Sequence, residues 1–194
     1  AKLISQANHQ MELSLLRSQI NPHFLLNSLN NIYSLVYQKS SAALDSLNKL
    51  PELLKYSLYE QKELVTLSRE LNCINQIIDL QSIRLSYETS IHIDVDQDIL
   101  EYKIPPFLFM PLIENAFKHG ELRNFPLTVQ LKQERHKIIF SCHNKISSHK
   151  SDNKGGIGLS NIEKRLKLIF PENHVFKVEQ LNGYFKVIIK IPIL

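Results

Sequence analysis

The sequence predicts an α+β protein in which an N-terminal helical hairpin precedes an α/β sandwich with a mixed sheet covered by helices. No glycine occurs between Ala1 and Leu85, and apolar residues recur there at helical spacing, which predicts helices only. From Ile91 onward, short segments alternate apolar and polar residues with a period of two, which predicts strands. We therefore expect two units, residues 1–86 and residues 87–194.

The helical unit is predicted to contain the hairpin and one further helix. Breaks are expected near Gln38–Ser41 and at Pro51. Thr66 or Ser68 is the candidate N-cap of the further helix, which includes Glu70.

The sandwich unit is predicted to begin with a strand at Ile91–Val95. Pro105–Pro106 are expected to open a helix that runs through Gly120. The remaining predicted elements are the strands Leu127–Gln133, Lys137–His143, Val175–Gln180 and Tyr184–Ile191 and the helix Leu159–Phe170. This mixture of elements predicts helices packed on a sheet.

Composition limits the classes of function. The formal net charge is +4, but the lysines and arginines are scattered, which weakly favours anions such as nucleotide phosphates and predicts no nucleic-acid partner. Cys73 and Cys142 lie in unrelated segments, which argues against a disulfide scaffold or a zinc site and favours a reducing compartment. No apolar stretch approaches the roughly 20 residues needed to cross a bilayer. Because the chain also begins without methionine, we expect a cytoplasmic fragment of a longer protein, without direct membrane contact.

Residues 17–36 form a predicted amphipathic helix with one polar and one apolar stripe. The polar stripe contains Gln19, His23, Asn27 and Asn30, and the apolar stripe contains Leu25, Leu29, Ile32 and Val36. His23 is therefore expected to face solvent, and Pro22 before it removes a backbone donor and loosens the turn. A neutral, exposed imidazole is a competent nucleophile. Most single surface histidines nevertheless have no chemical role.

Residues 19–30, QINPHFLLNSLN, closely resemble the phosphoacceptor motif of the LytS/YehU-like histidine kinases. The resemblance implies that His23 is the phosphorylated residue and that Asn27, one turn later, orients the imidazole or the phosphate. Phe24 follows the histidine, and this family has no acidic residue at that position. The proton acceptor is therefore not assigned by the motif.

A second polar cluster lies on the helix predicted to end at Gly120. Glu114, Asn115, Lys118 and His119 share one face, opposite an apolar face. An amide oxygen suits Mg²⁺, and the two potential cations suit phosphate oxygens. A solvated helix face without a ligand is the alternative interpretation of this spacing.

Residues 112–120, LIENAFKHG, resemble the N box of the GHKL ATP-binding fold, which histidine kinases share with DNA gyrase, Hsp90 and MutL. The resemblance implies that Asn115 binds Mg²⁺. It also implies that Glu114 assists proton transfer or orientation, and that Lys118 and His119 hold phosphates.

Residues 155–161, GGIGLSN, resemble the second glycine box of the same fold, including Gly156, Gly158 and Leu159. A glycine-rich turn lets backbone N–H groups approach phosphate oxygens closely, and the helix that follows adds a favourable dipole. The adenine-binding element departs from the usual Asp-x-Gly-x-Gly, because residues 141–145 are SCHNK. Asn144 is the candidate acceptor for the adenine amino group through its side-chain carbonyl oxygen.

These resemblances imply the cytoplasmic core of a two-component sensor histidine kinase that uses ATP and Mg²⁺ to phosphorylate His23. The partners implied are a second copy of the chain, forming a homodimer through the hairpin, and the receiver domain of a response regulator. The full-length protein is expected at the inner membrane.

Two alternatives stay open: a GHKL ATPase without kinase activity, and a weakly active or inactive kinase that serves as a signalling scaffold. The motif around His23 argues against the first, whereas the missing Asp favours the second. Arg84 matches a recurrent arginine of the family and is a candidate contact between the two units.

Overall fold

A computed structural model describes residues 29–30, 32–37, 41, 43–44, 47–48, 51, 56, 64–83, 85, 87–148 and 157–194. Residues 29–30 and 32–37 are helical. The later helices are α1 (Leu67–Ile83), α2 (Met110–His119) and α3 (Ile157–Ile169), with a 3₁₀ turn at Gln97–Ile99. The strands are β1 (Val65–Thr66), β2 (Ile91–Val95), β3 (Lys103–Ile104), β4 (Leu127–Glu134), β5 (Lys137–Lys145), β6 (Val175–Leu181) and β7 (Tyr184–Pro192).

Five of the strands form a mixed sheet in the order β2-β4-β5-β7-β6. Strand β2 runs parallel to β4, and the other neighbouring pairs are antiparallel. Helix α2 lies in the crossover between the parallel strands and contacts β5, α1 and α3. Phe109, just before α2, stacks on Phe140 of β5 with 4.2 Å between the ring centroids. The predicted mixed sheet covered by helices is confirmed.

A separate two-stranded sheet attaches the start of α1 to the segment before α2. Val65 pairs with Ile104, and the backbone N–H of Leu67 donates to the carbonyl of Tyr102 at 2.8 Å. The Thr66 hydroxyl accepts a hydrogen bond from the backbone N–H of Arg69 at 3.3 Å, which confirms the candidate cap. Helix α1 therefore packs on the sandwich, and the predicted unit boundary after residue 86 stays a prediction.

The start of α2 differs from the prediction. The helix begins at Met110, with a proline in its first turn, and Pro105–Phe109 form a loop instead of a helical turn. Within this loop Phe107 has a φ of 58°, in the left-handed region that non-glycine residues seldom occupy. The sequence alone favours a helix start at the prolines, because a proline often occupies the first helical position.

Two further boundaries differ in a way that affects the candidate site. Strand β5 continues to Lys145 instead of ending at His143, so Asn144 is a strand residue paired with Phe185 of β7. Helix α3 begins at Ile157 instead of Leu159. Strands β2, β4, β6 and β7 match their predicted bounds to within one residue at each end. The short strands β1 and β3 were not predicted, and β1 corrects the prediction of helices only before residue 86, because its backbone pairs with the distant β3.

In the described part of the hairpin, the residues of the predicted apolar stripe differ in burial. Ile32 is buried, together with Leu35, whereas Leu29 and Val36 are exposed. His23, Asn27 and Arg84 lie outside the described residues. Within the described ranges, no helix combines the length and the hydropathy that a bilayer crossing requires.

Candidate nucleotide-binding site

Helix α2 separates into the two predicted faces. The face that packs into the core carries Leu112, Ile113, Ala116 and Phe117, and Met110 and Pro111 in the first turn are buried as well. On the opposite side Lys118 is exposed, and Glu114, Asn115 and His119 are partly exposed. The structure therefore brings one carboxyl group, one amide and two potential cations to a single helix surface, as predicted.

The carboxyl group of Glu114 is the unusual member of this surface. Its Oε1 is enclosed and has no hydrogen-bond partner among the described residues. Burial raises the pKa of Glu114 to about 7, and the nearby charge of Lys118 opposes this rise. A carboxyl group with a pKa near neutrality can accept a proton at neutral pH.

Asn144 of β5 lies beside the C-terminal end of α2. The side chain is buried, with 2% of its surface exposed, and its Nδ2 donates to the backbone carbonyl of Lys145 at 2.9 Å. A Cβ atom placed on Gly120 would be 3.0 Å from this Nδ2. The absence of a side chain at Gly120 therefore allows Asn144 to pack against the helix end.

The side-chain oxygen of Asn144 has no hydrogen-bond donor among the described residues. This Oδ1 atom is also enclosed. An enclosed acceptor without a donor is costly and uncommon in folded proteins. The oxygen is thus a candidate acceptor for a ligand N–H, such as the amino group of adenine.

Two backbone hydrogen bonds fix the end of β5 against α2. The N–H of Glu121 donates to the carbonyl of Lys145 at 2.8 Å, and the N–H of Ser147 donates to the carbonyl of His119 at 2.9 Å. Between them, Gly120 and Ile146 form an antiparallel bridge. The helix with the polar cluster and the strand with Asn144 are consequently held in one register.

The start of α3 lies near the same surface of α2. A Cβ on Gly158 would be 3.8 Å from the Cβ of Pro111, which precedes Glu114 and Asn115 by one helical turn. Gly158 is exposed, and Leu159 after it is buried. Gly156 lies outside the described residues.

The chemistry of these side chains fits a nucleotide with Mg²⁺. Asn144 supplies an enclosed acceptor oxygen, Asn115 supplies an amide oxygen for a hard cation, and Lys118 supplies positive charge. The exposed Gly158 at the N-terminus of α3 is compatible with close approach of a phosphate.

A buried charged cluster next to this site was not predicted from the sequence. Glu70 of α1 and Arg165 of α3 are 1% and 0% exposed, and both contact the loop before α2. Glu70 shares a helix face with Leu67 and Ile74, and Arg165 follows the buried Ile162 by three residues. A charged residue within an apolar stripe was the signal that could have revealed them.

Comparisons with known proteins agree with this architecture. Residues 11–89 match the family model described as "Histidine kinase". The chain is 31% identical over 174 residues to the sensor protein kinase HptS of Staphylococcus aureus, covering 89% of this chain and 32% of the relative. It is 26% identical over 188 residues to the sensor histidine kinase BtsS of Escherichia coli, covering 94% of this chain and 34% of the relative. The chain belongs to the sensor histidine kinase family.

The fold agrees with that of solved histidine kinases. The histidine kinase domain of the blue-light activated histidine kinase EL346 from Erythrobacter litoralis superposes with a TM-score of 0.53 at 12% identity. That match covers 96% of this chain and 93% of the solved one. The mixed sheet with helices over it is thus the GHKL fold of histidine kinases. The chain spans about a third of the length of HptS and BtsS.

Proposed function

We propose that this sensor histidine kinase fragment binds ATP with Mg²⁺ between α2 and the end of β5 and transfers the γ-phosphoryl group to His23. The observation that most supports the proposal is the enclosed Oδ1 of Asn144, for which no described residue supplies a donor. The side chain of Asn144 lies beside the C-terminal end of the helix that presents Glu114 and Asn115. The adenine amino group would donate a hydrogen bond to Oδ1 of Asn144 and hold the base at the C-terminal end of α2.

Each polar residue has a role in this proposal. Asn115 is a ligand of Mg²⁺, which when bound neutralises phosphate charge. Lys118 and His119 are the proposed cationic contacts of the phosphate oxygens, and the backbone N–H groups of Gly156, Gly158 and Leu159 are the proposed donors to the phosphates.

The transfer itself forms one bond and breaks one. A nitrogen of His23 attacks the γ-phosphorus, the bond to the β–γ bridging oxygen breaks, and ADP leaves. The imidazole loses a proton, and Glu114 is the proposed acceptor because its pKa of about 7 suits this exchange. Asn27 orients the imidazole or the new phosphoryl group. An aspartate of a response regulator receiver domain then takes the phosphoryl group.

We further propose that the chain acts as a homodimer in the cytoplasmic part of a membrane-anchored sensor. Leu29, Tyr33 and Val36 are exposed and follow one another at helical spacing, so they form an apolar strip that no described residue covers. Pairing of two hairpins into a four-helix bundle would cover that strip.

The test is incubation of the chain with γ-labelled ATP and Mg²⁺, using His23→Gln and Asn115→Ala as variants. His92→Gln is the matched control, because His92 is exposed on β2, outside the candidate site. We expect acid-labile label in the wild type and in the control, and none in the two variants. Label that persists in His23→Gln would refute the assignment of the phosphoacceptor.

A signalling scaffold without kinase activity is the second candidate function. The observation that favours it is the amide at position 144, where GHKL proteins usually have a carboxylate that accepts from adenine. Calorimetric titration with ADP and Mg²⁺ separates the candidates. No heat of binding would support the scaffold, whereas binding without label on His23 would support an ATPase.

A further inference from the structure

A buried hydrogen-bonded cluster connects the hairpin to the loop that begins α2. The Tyr56 hydroxyl donates to Oε2 of Glu70 at 2.5 Å, and both side chains are buried. Tyr56 belongs to the predicted hairpin, whereas Glu70 lies in the first turn of α1. The contact therefore joins two segments that are separate in the predicted architecture.

Glu70 holds the loop by its backbone. Its Oε2 accepts the N–H of Phe107 at 2.9 Å, and its Oε1 accepts the N–H of Phe109 at 3.2 Å. Both oxygens of the carboxylate are used, and with the Tyr56 hydroxyl three donors converge on it. Burial raises the pKa of Glu70, and the three hydrogen bonds and the charge of Arg165 oppose this rise.

Arg165 of α3 holds the same loop from the other side. Its two terminal nitrogens donate to the carbonyls of Pro106 at 2.8 Å and Phe107 at 3.1 Å. A guanidinium matches two neighbouring carbonyls because its donors lie in one rigid plane. The peptide groups around Phe107 are thus bound through their N–H groups by Glu70 and through their carbonyls by Arg165.

The loop needs this support because of its conformation. Phe107 has a φ of 58°, and a bulky residue keeps that conformation only where its surroundings impose it. The ring of Tyr56 lies 4.6 Å from the ring of Phe107, centroid to centroid, so Tyr56 contacts the loop as well as the carboxylate. Helix α2 starts three residues after Phe107 and presents Glu114 and Asn115 one to two turns later.

We propose that Tyr56, Glu70 and Arg165 are positioning residues of the nucleotide site, and that the Tyr56–Glu70 hydrogen bond couples the hairpin to the start of α2. None of the three touches the proposed nucleotide. A movement of the hairpin that withdraws the Tyr56 hydroxyl loosens the loop and shifts the polar face of α2. The effect on nucleotide binding rests on the proposed function, whereas the effect on the loop does not.

The test compares Tyr56→Phe with Tyr37→Phe in the full chain. The first variant removes one hydroxyl and keeps the ring on Phe107, and the second removes a hydroxyl from an exposed side chain of the hairpin. Amide hydrogen exchange is measured over residues 105–116 and over β4 and β5, and the Kd for ADP with Mg²⁺ is measured by calorimetry.

We expect Tyr56→Phe to exchange about fivefold faster over residues 105–116 and to raise the Kd for ADP by a similar factor, with β4 and β5 unchanged. Glu70→Gln should change both quantities in the same direction and by more. Equal acceleration throughout the sheet, or no change at residues 105–116, would overturn the proposal. If the wild type binds no ADP, the proposed function fails, and the exchange data alone decide whether the coupling exists.

Discussion

Replacement of Glu114 by glutamine is expected to change how the free energy of unfolding depends on pH. In the folded protein, burial raises the pKa of Glu114 from an ordinary 4.5 to about 7. The folded state therefore retains this proton at pH values where the unfolded state has lost it. Since the folded state then binds more protons, the stability that Glu114 contributes falls as pH rises from about 4.5 to about 7.

The magnitude follows from the two pKa values. Each tenfold difference in acidity corresponds to about 1.4 kcal/mol, so the wild type should lose about 3 kcal/mol relative to Glu114→Gln across this interval. Below pH 4.5 both states hold the proton, and above pH 7 neither does, so the difference between the two proteins should be constant outside the interval. Glutamine keeps the shape of the side chain and cannot titrate.

The assay is urea unfolding of wild type and Glu114→Gln at half-unit steps from pH 4 to about pH 9. Glu172→Gln is the control, because Glu172 is exposed in the turn after α3 and its replacement removes one carboxylate outside the candidate site. The difference between wild type and Glu114→Gln should decline through the interval and then level off. A difference that stays constant with pH would refute the inference that burial raises the pKa of Glu114 to about 7.

Gly120→Ala is expected to cost about 2 kcal/mol of unfolding free energy, because the new Cβ would lie 2.4 Å from the carbonyl oxygen of Ala116. Gly158→Ala, whose Cβ would lie 3.8 Å from Pro111 at ordinary contact distance, is its control in the same urea titration, and equal losses would contradict the steric argument. Asn144→Ala is expected to weaken ADP binding about tenfold by calorimetry, since it deletes the enclosed acceptor oxygen. Asn173→Ala, an exposed amide in the turn after α3, is the control, and equal affinities in the two variants would show that adenine does not use Asn144.

The parts of the fold that could be predicted from sequence are those with strong periodicity. Helix α2 was predicted with its two faces because apolar residues recur at helical spacing up to Gly120. Strand β2 was predicted from the alternation of Ile91, Ile93 and Val95 with polar residues. In both segments the local pattern and the tertiary packing favour the same structure.

Long-range contacts decide the features that were mispredicted. Strand β5 reaches Lys145 because β7 pairs with it that far, and the local sequence after His143 gives no sign of the extension. The loop at Pro105–Phe109 is held by Glu70 and Arg165, whose positions in space no local pattern reveals. The prolines alone favour an earlier helix start, and the contacts of Glu70 and Arg165 with the loop override that preference.

Only part of the candidate site could be predicted from the local sequence. The four polar residues of α2 were found from one helix face, but the enclosure of Glu114 depends on its neighbours in space. The packing of Asn144 against Gly120 depends on the β5 register. The predictions for His23, Asn27 and Gly156 concern residues outside the described part of the chain and stay predictions.

Glu70 and Arg165, which are buried on either side of the Phe107 loop, constrain how this sequence can change in evolution. Loss of Glu70 alone would leave Arg165 as a cation in the interior with less compensation, and loss of Arg165 alone would leave two peptide carbonyls without donors. A lineage should therefore tolerate neither change singly. Descendants should inherit both residues or replace both, although the two codons lie far apart in the gene, and a count of paired and unpaired losses among diverged copies would measure this constraint.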